Sequence, residues 1–315
     1  MKLQDIALIA ATFLGLFYLL KLVLGFFSWV WVIFLRPPKN LKNYGSWVII
    51  TGSTDGIGKA LAFELASKGL NLILVARNPA KLDATVKEVQ DRCGENVHIR
   101  SIVIDLEKSK GEDISNKIEE AIRGLDVGIL INNAGVAYPY PQYFHELDSE
   151  IMQRVMKVNA ESATWVIRAV IPGMMKKKKG AIVNIGSGSS VVLPSYPLYS
   201  IYAATKAYLA TLSKSLSVEY KAHGIDVQCQ IPLLVTTKMI KMKKSAFLIT
   251  SPETYAKASV RWIGYNNLCS PVLLHNLQWL ILNAFPDSFV NWCAFRHLLR
   301  MRKRELEMDS LKKAI

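Results

Sequence analysis

From Ile6 to Leu35 the chain is apolar at almost every position, with Lys21 the one charge. As a helix these thirty residues would run about 45 Å, against a hydrocarbon core of about 30 Å. The run predicts a membrane anchor over 1–36, either one tilted span or a re-entrant pair bent near Lys21 and Gly25. A cleaved leader is excluded by this length and by Arg36-Pro37-Pro38-Lys39, which offers no small-residue cleavage site. From Trp47 the pattern changes to short β-branched runs alternating with amphipathic stretches. It predicts strands over 47–51, 71–76, 97–104, 127–131, 180–185 and 225–231. Helices are expected between them, over 56–68, 79–92, 111–123, 148–175 and 199–220. Strands this short and apolar, separated by helices, imply a parallel sheet covered on both faces. The expectation is a doubly wound α/β fold over 45–265, whose ligand sits beyond the carboxyl ends of the strands.

After Pro271 the chain turns apolar again, Val272 to Phe285, too short a run to span a bilayer easily. It predicts a helix lying in the membrane interface or covering an acyl channel, and a membrane-associated segment over 266–315 that ends in a basic tail.

Charge adds to this picture. The 315 residues carry 39 basic and 25 acidic side chains, a net +14, which calls for an anionic partner: nucleic acid, an anionic membrane surface or a phosphorylated ligand. No nucleic-acid motif accompanies the excess, so that class is set aside. Four scattered cysteines without a CxxC pair argue against a disulfide framework or a zinc site. Five histidines (98, 145, 223, 275, 297) have no metal-ligand spacing and read as ordinary surface or core residues. Arg36, Lys39 and Lys42 follow the anchor while Lys2, offset by Asp5, precedes it, which predicts a body facing the cytosol.

Thr51-Gly52-Ser53-Thr54-Asp55-Gly56-Ile57-Gly58 joins the first strand to the first helix. Glycines there permit positive φ and let backbone approach a pyrophosphate, which the helix N-terminus attracts. The second strand ends Ala76-Arg77-Asn78 without the acid that would bind a ribose 2′-hydroxyl. Arg77 can instead meet a 2′-phosphate, so NADP(H) is the expected cofactor. Tyr202 is the one tyrosine of twelve with a lysine four residues on, Lys206, and helical spacing puts both on one face. A cation about 4 Å from a phenolate, at an effective dielectric near 20, stabilises it by roughly 4 kcal/mol. Tyr202 is thereby a candidate proton donor to a carbonyl receiving hydride.

The spacing TGxxxGxG and the order of these motifs resemble the short-chain dehydrogenase/reductase superfamily over about residues 47–240. The resemblance implies that Asp105 contacts the adenine and that Asn133, in Asn132-Asn133-Ala134-Gly135, braces the sheet beside the cofactor. Asn159 would hold a water against Lys206, and Val235 and Thr237 would contact the nicotinamide carboxamide. It also implies a serine that orients the substrate carbonyl. The strand-end pattern Asn184-Ile185-Gly186-Ser187 selects Ser187; the usual separation from the tyrosine selects Ser189. Two departures stand out: Asp55, where NADP-preferring relatives often carry a basic residue, and Leu233, where the family has glycine after Pro232.

Phe34-Leu-Arg-Pro-Pro-Lys-Asn40, Tyr44-Gly-Ser-Trp47, Leu72-Ile-Leu-Val-Ala-Arg-Asn78 and Gly224-Ile-Asp-Val-Gln-Cys229 are similar to the membrane-bound branch that holds very-long-chain 3-oxoacyl-CoA reductases, the plant enzymes above all, and related 17β-hydroxysteroid dehydrogenases. The branch implies reduction of a 3-oxoacyl-CoA in microsomal fatty-acid elongation, with other elongation enzymes as membrane partners and a homodimer among the expected assemblies. A ketosteroid reductase and a silent nucleotide-binding scaffold are the rival readings. Lys238, Lys241, Lys243 and Lys244 fall where the family has its substrate lid, and suit a phosphorylated head with a greasy tail. Lys176 to Lys179 reads as a solvated turn. Lys312-Lys313-Ala314-Ile315 resembles the dilysine retrieval signal of endoplasmic reticulum membrane proteins.

Overall fold

The chain forms two compact units, Met1–Pro38 and Lys39–Ile315. The structure, a computed structural model, describes residues 3–94, 96–237 and 249–313. In the first unit helix α1 (Leu3–Val30) passes unbroken through Lys21 and Gly25 and runs into a π-helical turn, Trp31–Leu35. No re-entrant bend forms, because a lone glycine costs a helix only about 1 kcal/mol. Pro37 and Pro38 follow the helix, and neither can extend it. Leu8–Leu35 has a mean hydropathy of 2.1 and buries none of its apolar window within the protein. It is long and apolar enough to cross a membrane.

The second unit is a three-layer sandwich. Its strands are β1 (Trp47–Thr51), β2 (Asn71–Ala76), β3 (Ile99–Val103), β4 (Val127–Asn132), β5 (Gly180–Ile185), β6 (Ile225–Gln230) and β7 (Leu268–Cys269). All pair in parallel, in the order β3-β2-β1-β4-β5-β6-β7. The helices are α2 (Gly56–Ser67), α3 (Pro79–Cys93), α4 (Gly111–Ile122), α5 (Ser149–Met156), α6 (Ser162–Lys177), α7 (Ser200–Glu219), α8 (Pro252–Trp262), α9 (Leu273–Asn283) and α10 (Asp287–Lys313). Alternation along β1 shows why the central strands are apolar on both faces. Val48 and Ile50 pack with Leu61 and Leu65 of α2, whereas Ile49 packs with Val166 and Val170 of α6. The strand order reverses between β1 and β4, which opens a crevice at their carboxyl ends.

Two readings are revised. The expected boundary at 265/266 is no break: β7 pairs with β6, and Val290 and Leu298 of α10 are buried. Residues 266–315 thus belong to the same compact unit. Nor is the lysine run merely solvated. Lys177 donates to Asp126 Oδ1 at 2.6 Å and to the Val127 carbonyl at 2.8 Å, tying the end of α6 to the start of β4. Lys178, at φ 52°, ends that helix in the left-handed region. A second clasp closes nearby: Lys39 donates to Asp226 Oδ2 at 2.8 Å, and the Tyr44 hydroxyl donates to the same carboxylate. Lys238, Lys241, Lys243 and Lys244 lie outside the described residues. Of the dilysine ending, α10 reaches Lys313, and Ala314 and Ile315 are likewise outside.

Candidate active site

The turn after β1 is shaped by what its glycines omit. Gly52 and Gly56 adopt φ of 65° and 50°, and a Cβ on Gly58 would lie 2.2 Å from the Gly52 carbonyl oxygen. Side chains there would push α2 off the strand end. Asn133 locks the turn from β4, its amide donating to the carbonyls of Thr51 and Gly52, both at 3.1 Å. In return the Thr51 hydroxyl accepts from the Asn133 and Ala134 N–H groups. Asp55 caps α2, taking the Gly56 N–H at 2.9 Å. Ile57 sits in the first turn of that helix, half-buried against the core. Thr237 lies against Gly56, 3.1 Å from where its Cβ would be.

At the end of β2, Arg77 is 67% exposed and meets Glu107 in a long 3.4 Å pair. Asp105 accepts the Glu107 N–H at 3.0 Å. The crevice thus has a glycine turn, a helix N-terminus and, one strand away, an exposed guanidinium. These groups fit a dinucleotide with an extra phosphate on its ribose.

Ser187, Tyr202 and Lys206 converge at the ends of β5 and β6. Ser189 Oγ donates to Ser187 Oγ at 2.9 Å, and the Ser189 N–H reaches the same oxygen at 3.2 Å. The Ser187 hydroxyl also acts on the Tyr202 phenol, in the sense that lowers its pKa. The two candidate serines are thus bonded to each other, with Ser187 Oγ the acceptor. The extra loop between them and Tyr202 turns through Leu198, held at φ 62° by burial and by its carbonyl accepting from Gln142 N at 3.0 Å.

Lys206 is buried, donates to the Ile185 carbonyl at 2.9 Å and stands 6.0 Å from the centre of the Tyr202 ring. Burial pulls its pKa down to about 8. In the polypeptide itself burial also raises the Tyr202 pKa, opposed by the Ser187 hydrogen bond. Burial is the larger of these two effects, so the phenol of the polypeptide titrates above its ordinary value. Asn159 occupies a π-helical turn, Lys157–Glu161, between α5 and α6. Its Oδ1 accepts Val136 N at 2.8 Å, and its Nδ2 donates to Val136 O at 2.9 Å and Thr205 Oγ1 at 3.1 Å. The wider π turn aims this side chain across to the helix that carries Lys206.

Sequence reasoning passed over several residues here. Asn132 donates to Asn184 Oδ1 at 2.9 Å, and Asn184 donates to Ser213 Oγ at 2.8 Å, a buried ladder from β4 through β5 to α7. Tyr199 stacks with Tyr138 at 5.1 Å and with Tyr196 at 5.5 Å, and meets the Tyr202 ring edge-on at 6.4 Å. His275, set aside as ordinary, is buried and accepts from Leu233 N at 3.4 Å, with Nε2 3.2 Å from the Thr250 hydroxyl. It holds the segment carrying Val235 and Thr237, and Val235 itself bridges to Thr250. Leu233 needs no glycine, because its φ is not positive. Its side chain fills space beside Gly188 in a small core with Cys229 and Ile231.

The short chain dehydrogenase family profile matches residues 46–246. The chain belongs to that family. A very-long-chain 3-oxoacyl-CoA reductase-like protein of Arabidopsis thaliana is 48% identical over 93% of this chain and 94% of its own length. The human very-long-chain 3-oxoacyl-CoA reductase is 36% identical over 82% of this chain and 80% of its own. Inactive hydroxysteroid dehydrogenase-like protein 1 of Homo sapiens is 39% identical over 81% and 76%. Among solved structures, a short-chain dehydrogenase from Sphingobium yanoikuyae in complex with NADPH superposes with a TM-score of 0.63 at 31% identity, covering 76% of this chain and 92% of that one. This short-chain dehydrogenase also shares its fold with a 7beta-hydroxysteroid dehydrogenase, at a TM-score of 0.72 and 20% identity, over 81% of this chain and 99% of that one.

Proposed function

We propose that this short-chain dehydrogenase reduces a very-long-chain 3-oxoacyl-CoA to the 3-hydroxyacyl-CoA with NADPH. The observation that carries the reading is the 48% identity to the plant reductase-like protein along nearly the whole of both chains, and the Ser187–Tyr202–Lys206 cluster supplies the chemistry.

NADPH, when bound, supplies the hydride. Gly52, Gly56, Ile57 and Gly58 would take its pyrophosphate at the start of α2, and Arg77 its 2′-phosphate. Asp105 would meet the adenine, and Val235 and Thr237 the carboxamide; Asp55 serves the turn by capping it. Ser187, aligned by Ser189, donates a hydrogen bond to the substrate carbonyl oxygen. Tyr202 gives that oxygen its proton as the C–H bond forms. Lys206, buried and cationic, steadies the tyrosinate left behind and holds the ribose. Asn159 and Thr205 fix the lysine's helix against the Val136 loop and support a water beside Lys206. A group that must be charged near neutrality, with a pKa of about 8, predicts that kcat/KM falls as pH rises through that value.

The anchor and the cations after it support a body facing the cytosol on the endoplasmic reticulum. In that setting the other elongation enzymes would be membrane partners, with a homodimer as one of the assemblies to test. The inactive human relative makes a silent binding protein the second reading, against which the converged cluster argues. The test offers the membrane-reconstituted chain NADPH with a very-long-chain 3-oxoacyl-CoA and, separately, a 17-ketosteroid, with Tyr202→Phe as the blank. CoA-dependent NADPH loss that vanishes in the blank is the expected result. Turnover of the steroid alone would replace the substrate, and turnover of neither would favour the silent reading.

A further inference from the structure

Helix α10 has two faces with different duties. Its inner face is packed: Val290 and Leu298 are buried, and Asn291 Oδ1 accepts from Ser195 at 2.7 Å. Arg302 on the same face donates to the Pro141 carbonyl at 3.2 Å and pairs with Glu146 at 2.9 Å. Those contacts fall on the two loops that flank the tyrosine cluster. The outer face is open. Phe285, Phe289 and Trp292 are about half exposed and stack in sequence, at 5.3 Å and 6.2 Å between rings. Arg296 lies over the Trp292 ring at 5.3 Å. At helical spacing the same stripe continues into Arg300 and Lys303, both exposed. On α9, just before this corner, Leu280 and Ile281 are 67% and 58% exposed. An apolar corner with a collar of cations on one stripe is not the usual surface of a soluble body.

We propose that the α9–α10 corner inserts shallowly into an anionic bilayer surface, its aromatic rings at headgroup depth and Arg296, Arg300 and Lys303 on the phosphates. Aromatic residues with an apolar body and a polar edge favour that depth, and cations there gain from anionic lipid. A bilayer is the surface at hand for this body, because it starts at Lys39, immediately after a segment able to cross a membrane. A second copy fits less well: a two-fold contact would set one cationic stripe against its equal. The inference rests on the membrane-anchor reading and deepens the proposed function. The helix that lies on lipid also holds the rim of the reaction centre, so a greasy acyl tail would enter from the membrane side.

Cys293, exposed beside Trp292, gives a native reporter, since Cys229 and Cys269 are buried. The full chain with Cys93→Ser carries an environment-sensitive fluorophore on Cys293. A control chain with Cys93→Ser, Cys293→Ser and Lys87→Cys carries it on α3. Both are reconstituted into phosphatidylcholine vesicles, with and without phosphatidylserine. The expected result is several-fold stronger quenching by nitroxide lipid at 293 than at 87, weaker quenching by iodide, and a larger contrast with phosphatidylserine. Phe289→Ser with Trp292→Ser should reduce the lipid quenching at 293 while NADPH binding is kept. Equal quenching at the two positions overturns the proposal. So does shielding of 293 that persists in detergent and grows with protein concentration, which would assign the face to a second copy. Flotation with the vesicles reports the anchor, and NADPH turnover the reaction, so failure of either remains distinguishable from failure of the corner.

Discussion

The two ends of the parallel sheet are held by different forces. At the strand starts the fastenings are ionic: Lys39 and Tyr44 on Asp226, and Lys177 on Asp126. At the strand ends, inside the crevice, the fastenings around the reaction centre are neutral hydrogen bonds: Asn133 on Thr51, Asn132 on Asn184, Asn159 on Val136, and His275 beneath Leu233; the carboxylates of Asp55 and Asp105 and the Arg77–Glu107 pair lie towards the outer part of the crevice. The only buried cation there is Lys206, among the described residues. The difference follows from what each end must do. A half-exposed ion pair fixes chain segments cheaply where no chemistry occurs. Amides fix geometry to a fraction of an ångström without adding a charge that would move the pKa of Lys206 or Tyr202.

The largest test of this contrast removes a hydroxyl that acts on the reacting atom. Ser187→Ala should lower kcat by about 10²–10³-fold, the usual loss for one donor to a developing oxyanion. Ser189→Ala, acting through Ser187, should cost roughly tenfold, with Ser189→Thr restoring most of it. Steady-state kinetics with the CoA substrate separate the two, and equal losses would erase the distinction between them.

Next comes His275, whose burial holds its pKa down to about 4, against an ordinary 6.5. The unfolded chain binds the proton more readily between those values. Stability is therefore fully present above about pH 6.5 and lost as pH falls towards 4, by about 3 kcal/mol. Thermal melts of the detergent-solubilised protein across that window should show a slope that His275→Asn flattens. An unchanged slope would put the acid sensitivity elsewhere.

Breaking the neutral ladder with Asn184→Ala leaves the Asn132 amide only its long 3.4 Å bond to the Ala163 carbonyl and removes the donor to Ser213, whose hydroxyl keeps its own bond to the Leu209 carbonyl. The expected loss is about 1–3 kcal/mol in denaturant unfolding, with NADPH binding weakened in parallel. The smallest effect belongs to the other end. Lys39 and Asp226 are 36% and 37% exposed, so Asp226→Asn should cost no more than about 1 kcal/mol and leave kcat untouched. A larger loss there, or a fall in kcat, would mean that the two ends are coupled.

The sequence made one half of the molecule easy to read. The strands from Trp47 to Gln230 are runs of β-branched and aliphatic residues bounded by turns, so their pattern names them. The glycine turn and the Tyr202–Lys206 spacing carry their own physical reasons. The other half hides for reasons equally physical. A two-residue strand such as β7 has no period. Helix α10 carries apolar residues on both its packed and its open face, so no single amphipathic stripe stands out among its charges, and it reads as a tail. Asn132 and Asn184 lie in strands where polar residues carry no local signal, since their partners arrive from distant strands and helices. Lys177 was one of four lysines in a row, and only the fold shows which of them turns inward.

The clasp of Lys39 and Tyr44 on Asp226 also has a mechanical meaning. In the proposed membrane setting, a body tethered through its first residues would be pulled at that point whenever the bilayer flows or thermal motion swings it. Tension arriving at Lys39 meets Asp226, the second residue of β6, and spreads into a sheet bonded on both sides. The reaction centre lies at the opposite ends of those strands. Such a tether would then load the sheet at the end away from Ser187, Tyr202 and Lys206.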